Sequence, residues 1–348
     1  MGKGRVARKV AAAAAYGGGG ASVLGGSLWG LVLAEAQLAR RAIGNAEGET
    51  PNPSGWYGHG RPGPAIGLAL LGDSSAAGYG VDAVEDTPGA HLASGVARAA
   101  DRRVYLTSVA KVGAQTKDLH KQIDQVLPLE PQLAVIFIGA NDVTHAVPIR
   151  TSLRELGVVL MRLRARGVTT VLVTCPDLGT IEPLAPPLKQ IARTWSRRLA
   201  AAQATTAVEH GARAVSLGSV LASEFQRLSD LLFGPDLFHP SAAGYARMSS
   251  AVLPTALAAL GLVPDEDVEP QLSRGEAVLP LDLAAHEASR HPGSSVEPVE
   301  ETGVATGPLG RLAVLRRRRR TPDDDVEGPS QAPDPDPTGG DDPAPARG

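Results

Sequence analysis

The sequence predicts a doubly wound α/β domain built on a five-stranded parallel sheet with helices on both faces. Two observations carry this reading. Between residues 65 and 262, short apolar runs alternate five times with longer amphipathic ones. The short runs are continuously apolar rather than alternating, as strands buried on both faces are. Five such repeats in about 200 residues suit a single domain of this class.

The elements follow in order. Strands are expected over Ala65–Leu71, Val104–Val109, Leu133–Ile138, Thr169–Thr174 and Ala214–Leu217. Each is a run of mostly Val, Ile, Leu, Ala or Thr of strand length. Helices are expected over Pro88–Ala100, Thr116–Val126, Ile149–Arg166, Pro187–Glu209 and Ser241–Leu260, where apolar and polar residues recur at helical spacing. The chain shows no internal repeat. In sheets of this kind, sites lie beyond the carboxyl ends of the strands.

The flanks read differently. No charged residue occurs from Val10 to Ala34, and Lys3, Arg5, Arg8 and Lys9 precede this run. An apolar stretch of this length can span a bilayer, and the basic residues before it favour a cytoplasmic N-terminus. Residues 1–43 are therefore expected to be an N-terminal signal anchor or signal peptide, with the rest of the chain extracytoplasmic, either membrane-attached or secreted. Residues 44–64 are rich in turn formers and read as a linker whose Trp56, Tyr57 and His59 pack on the domain edge. Residues 263–348 are Pro- and charge-rich, with one short helix near Leu281–Arg290, and are expected to be a largely disordered tail. Within it, Arg316–Arg320 form a basic block that reads as a solvated patch.

The formal net charge of −3 gives no overall attraction to nucleic acid, and none is expected as a partner. Cys175 is the one cysteine, so neither an intrachain disulfide nor a cysteine-based metal site can form. It ends the fourth strand and reads as a small buried apolar group.

Chemistry-bearing residues cluster at the strand ends. The first strand runs into Gly72-Asp73-Ser74-Ser75, with Gly78 and Gly80 following. The loop after the second strand carries Gly113. The third strand ends in Gly139-Ala140-Asn141-Asp142. Asp236 and His239 stand just before the last helix. A serine hydroxyl becomes nucleophilic when a base takes its proton, and histidine suits that role. A carboxylate on the other ring nitrogen fixes the tautomer and stabilises the imidazolium. Asp236 and His239 are three positions apart, so one tight turn brings them together. The amide of Asn141 and the backbone N–H groups of Gly113 and Ser74 are candidate oxyanion donors. Asp73 and Asp142 read as braces of their turns. The lipase-type Gly-x-Ser-x-Gly elbow is missing, and no Gly-x-Gly-x-x-Gly dinucleotide fingerprint follows the first strand.

Taken in order, Gly72-Asp73-Ser74 with Gly78, then Gly113, then Gly139-x-Asn141-Asp142, then Asp236-x-x-His239-Pro240 resemble the blocks of the SGNH, or GDSL-type, hydrolase superfamily over residues 65–262, and the N-terminal segment resembles that of exported actinobacterial members. The resemblance implies a three-layer α/β/α fold of the flavodoxin-like kind and ester hydrolysis without metal or cofactor. It implies Ser74 as nucleophile, Asp236 and His239 as its partners, and Ser74, Gly113 and Asn141 as the oxyanion hole. Ser75 stands where the family commonly has an apolar residue. The function expected is a serine esterase for short-chain acyl esters, including O-acetyl groups, on a small-molecule or envelope-linked substrate. The alternatives are a lysophospholipase or thioesterase on the same triad, and a non-catalytic surface-binding protein on the same scaffold.

Overall fold

The structure is a computed structural model that describes residues 50–181, 184, 186–217, 228–262, 277–289, 294–298 and 312–317. The expected anchor at Val10–Ala34 lies outside the described residues. Among those described, no helix is long and apolar enough to cross a membrane.

Five parallel strands form the core of the sheet: β2 (Ile66–Gly72), β3 (Val104–Ser108), β4 (Leu133–Phe137), β5 (Thr169–Val173) and β6 (Arg213–Val215). Their spatial order is β3-β2-β4-β5-β6. The chain first steps outward from β2 to β3, then crosses back over β2 to β4. This reversal opens a crevice at the C-terminal ends of β2 and β4, where ligands of doubly wound sheets bind.

Alternate residues of each strand feed two separate cores. On one face Leu68, Leu70, Val135, Phe137 and Val173 pack against α2 (Pro88–Ala100) and α8 (Ala242–Ala259). On the other, Ala69, Leu71, Ala134, Ile136 and Leu172 meet α3 (Leu119–Val126), α5 (Ile149–Ala165) and α6 (Leu188–Glu209). Because both faces are covered, the strands need apolar residues at every position, which is why they read as continuous runs. The expected three-layer α/β/α architecture is thus present. Three short helices complete the rim: α1 (Ser74–Ala77), α4 (Ala140–Thr144) and α7 (Ser229–Leu232).

The sheet is wider than expected. Residues 44–64 are not linker throughout: β1 (Gly55–Tyr57) pairs antiparallel with β3 and closes that edge. Trp56 lies edge-on to Tyr105 at 5.0 Å and under the Arg103 guanidinium, so this segment does pack on the domain edge. At the opposite edge, parts of the tail expected to be disordered form regular structure. Strands β7 (Ala277–Pro280), β8 (Ser294–Pro298) and β9 (Leu312–Arg317) extend the sheet antiparallel in the order β6-β8-β9-β7. Helix α9 (Leu281–Ala288) lies within the expected Leu281–Arg290 and buries Leu281, Ala284 and Ala288 against Val296, Ala313, Leu315 and Val208 of α6. Arg316 is not part of a solvated block. It pairs with the buried Glu297, which also binds Arg213 of β6. A Pro-rich composition hid these strands, because each is short and contributes only a few apolar side chains.

Candidate active site

The turn that carries Ser74 begins with a glycine that no other residue can replace. Gly72 has φ +135°, and a Cβ there would lie 1.9 Å from the carbonyl oxygen of Phe137. Its backbone is held by the buried Gln122, whose Oε1 accepts from Gly72 N at 2.7 Å and whose Nε2 donates to Gly72 O at 2.8 Å. Lys111 N also donates to Gly72 O, at 3.0 Å, which ties the loop after β3 to this turn. Sequence reasoning missed Gln122: a glutamine inside a helix carries no signal of its own.

Asp73 caps α1, accepting from Ser75 N at 2.9 Å, and its own N–H donates to Phe137 O at 3.0 Å. Burial pushes the Asp73 carboxyl up to about 7; the neighbouring Asp142 adds to the rise, and bonds from Ser75 oppose it. Ser74 begins the helix and is 6% exposed.

Ser74 Oγ lies 3.0 Å from Nε2 of His239, and His239 Nδ1 lies 2.6 Å from Asp236 Oδ2. The turn between Asp236 and His239 is fixed by the same carboxylate. Its Oδ1 accepts from Phe238 N at 3.0 Å and His239 N at 2.9 Å. Burial alone would raise the Asp236 pKa, but the side-chain and backbone bonds from His239 and the backbone bond from Phe238 together hold it below the usual range. An ionised carboxylate only accepts, so the imidazole proton sits on Nδ1 and the Nε2 lone pair faces Ser74. Tyr79 and Phe238 flank the imidazole, with ring centroids at 4.5 and 4.7 Å. The backbone of Tyr79 is itself fixed by Tyr245, whose hydroxyl donates to Tyr79 O at 2.7 Å from within the core. Neither tyrosine carries a sequence signal for the site, since the contact joins segments 166 residues apart.

The two other expected oxyanion donors lie on the loops that follow the strands beside β2. Gly113 sits in the loop after β3 with φ +79°, and a Cβ there would meet open space. Asn141 lies half-buried in the first turn of α4, directly after β4. Asp142 links these two segments. Its Oδ2 accepts from Thr116 N and Thr116 Oγ1 at 3.1 and 3.0 Å, while Ser152 Oγ donates to Oδ1 at 2.7 Å. Both Asp73 and Asp142 therefore brace their turns. Gly139 carries φ +132° and packs on Cys175, whose thiol is fully buried and pushed far up by burial. Asp177 is anchored by Arg197 at 2.7 Å. The His145 ring is held by its own helix, with Nδ1 2.8 Å from the carbonyl oxygen of Asn141. Among the described residues, no group of three or more His, Cys, Asp or Glu side chains is placed to hold a metal ion.

The arrangement is a hydroxyl, an imidazole and a carboxylate in hydrogen-bonded sequence, with Gly113 and Asn141 on the segments that follow the two strands flanking β2. Residues 70–247 match the model of the GDSL-like lipase/acylhydrolase family. A GDSL-like esterase of Mycobacterium tuberculosis is 34% identical over 325 residues, covering 90% of this chain and 96% of the relative. The chain belongs to the GDSL-like lipase/acylhydrolase family. As a member it is a carboxylic ester hydrolase. Among solved structures, this family member is similar to TesA (20% identity, 57% of this chain and 99% of that one, TM-score 0.45). It is also similar to the lipase/acylhydrolase of Enterococcus faecalis (21% identity, 58% and 100%, TM-score 0.44).

Proposed function

We propose that this acylhydrolase is a serine esterase for short-chain acyl esters. The observation that carries the reading is the relay from Asp236 through His239 to Ser74, at 2.6 and 3.0 Å. His239 Nε2 takes the Ser74 proton as Oγ bonds to the acyl carbon. The resulting oxyanion is met by the N–H groups of Ser74 and Gly113 and the amide of Asn141. On collapse, the bond to the leaving alkoxide breaks and His239 returns the proton to it. Water, deprotonated by the same ring, then attacks the acyl-enzyme, and Ser74 regains its proton as the acid departs.

The basic cluster and the uncharged run ahead of this domain support an extracytoplasmic enzyme, membrane-attached or secreted, acting on small or envelope-linked esters. Accessibility of the domain to protease added outside intact cells tests that placement. For the chemistry, the test is labelling by a fluorophosphonate probe together with hydrolysis of chromogenic esters of graded chain length. Both should vanish in Ser74→Ala and persist in Ser75→Ala. Labelling that survives Ser74→Ala overturns the assignment. A preference for chains beyond about eight carbons would overturn the short-chain reading and favour a lysophospholipase or thioesterase.

A further inference from the structure

A cavity of about 70 Å³ lies under the C-terminal ends of β4, β5 and β6, behind the Ser74 turn. Its wall includes Asp73 and Ser75, on either side of Ser74, and Phe238 and Pro240, on either side of His239. Val173, Leu217, Phe233 and Met248 give it an apolar lining. One polar group in this wall is unsatisfied. Thr174, directly after β5, is 2% exposed, and its Oγ1 has no hydrogen-bond partner. Buried hydroxyls are nearly always paired, so an orphan in a cavity wall marks a place for a polar atom. The other polar side chains of the wall are already engaged. Asp73 accepts from Ser75 N, Asp177 binds Arg197, and Thr180 Oγ1 donates to Asp177 O.

We infer that this cavity receives the acyl chain of the ester, and that Thr174 Oγ1 binds a neutral polar substituent, such as a hydroxyl, on that chain. The inference rests on Ser74 as the nucleophile. Two quantities bear on the chain's size. At about 10–15 Å³ per water-sized position, the cavity has room for about five to seven non-hydrogen atoms. One strand separates β2 from β5, which puts their ends about 10 Å apart at the usual strand spacing. A chain of up to about six carbons attached at Ser74 fits this volume and extends toward Thr174. A chain ending in a carboxylate would meet Asp73 and Asp177 on the same wall and is disfavoured.

The experiment measures kcat/KM of the full chain on aryl esters from acetate to decanoate, and on the pairs butanoate with 3-hydroxybutanoate and hexanoate with 6-hydroxyhexanoate. The expected profile peaks at four to six carbons, with at least one hydroxyacyl ester preferred to its plain counterpart. Thr174→Val should reduce that preference about tenfold, the effect of one net hydrogen bond, and Thr174→Ser should restore it. Met248→Ala should move the peak to longer chains. Thermal unfolding of each variant separates these effects from loss of fold. An unchanged hydroxyacyl ratio in Thr174→Val, or a chain-length profile indifferent to Met248→Ala, overturns the inference while Ser74-dependent hydrolysis leaves the esterase reading standing. Hydrolysis that survives Ser74→Ala overturns both.

Discussion

Replacing Asp73 with asparagine should make stability less dependent on pH, in a direction the structure specifies. Asp73 is buried beneath the Ser74 turn, and its carboxyl rises from an ordinary 3.8 to about 7, chiefly through burial. The folded protein thus holds this proton more tightly than the unfolded chain does. Between these two values the native state binds more protons, so stability falls as pH rises through the window. The full penalty is present above about pH 7 and absent below about pH 4. The difference in pKa corresponds to about 4 kcal/mol. The amide that Asp73→Asn introduces cannot ionise, yet its oxygen can still accept from Ser75 N, the bond that caps α1. Urea midpoints at intervals from about pH 4 to pH 8 are the assay. Near pH 4 the two proteins should agree to within about 1 kcal/mol, the worth of altered cap geometry. By about pH 8 Asp73→Asn should be the more stable by up to about 4 kcal/mol. A difference that stays constant across the range would mean that Asp73 is ionised in the folded protein throughout, and the burial argument would fail.

Other outcomes follow from the same geometry. Asp236→Asn should lower kcat by roughly three to four orders of magnitude with the fold intact, because the amide no longer enforces the Nδ1–H tautomer; near-normal turnover with a native circular dichroism spectrum would refute the relay. Gln122→Leu strips the Gly72 N–H of its partner, although Gly72 O keeps Lys111 N, so urea denaturation should show a loss of about 2 kcal/mol. Gly72→Ala drives a methyl into the Phe137 carbonyl and should yield no soluble folded protein on expression. Glu297→Ala leaves Arg213 and Arg316 without their shared carboxylate and should cost about 3–5 kcal/mol. Hydrogen exchange should report that last loss as earlier opening of β8 and β9 than of β2 and β4.

The parallel core and the members of the site are legible in the chain before it folds. A strand covered on both faces must be apolar at every position, so β2, β4 and β5 announce themselves as unbroken runs. The site residues are visible because each belongs to a short local pattern: Gly72-Asp73-Ser74 ends a strand, and Asp236 reaches His239 within one turn. What supports them emerges only on folding. Gln122 grips Gly72 from a helix 50 residues away, and Tyr245 fixes Tyr79 across 166 residues. Such contacts leave no periodic trace in the chain. The same reason hid β7 to β9, whose few apolar residues become a core only against α9 and Val208 of α6. The cavity with its unpaired Thr174 hydroxyl likewise exists only as space between β5, the Ser74 turn and α8, and a linear sequence carries no record of space.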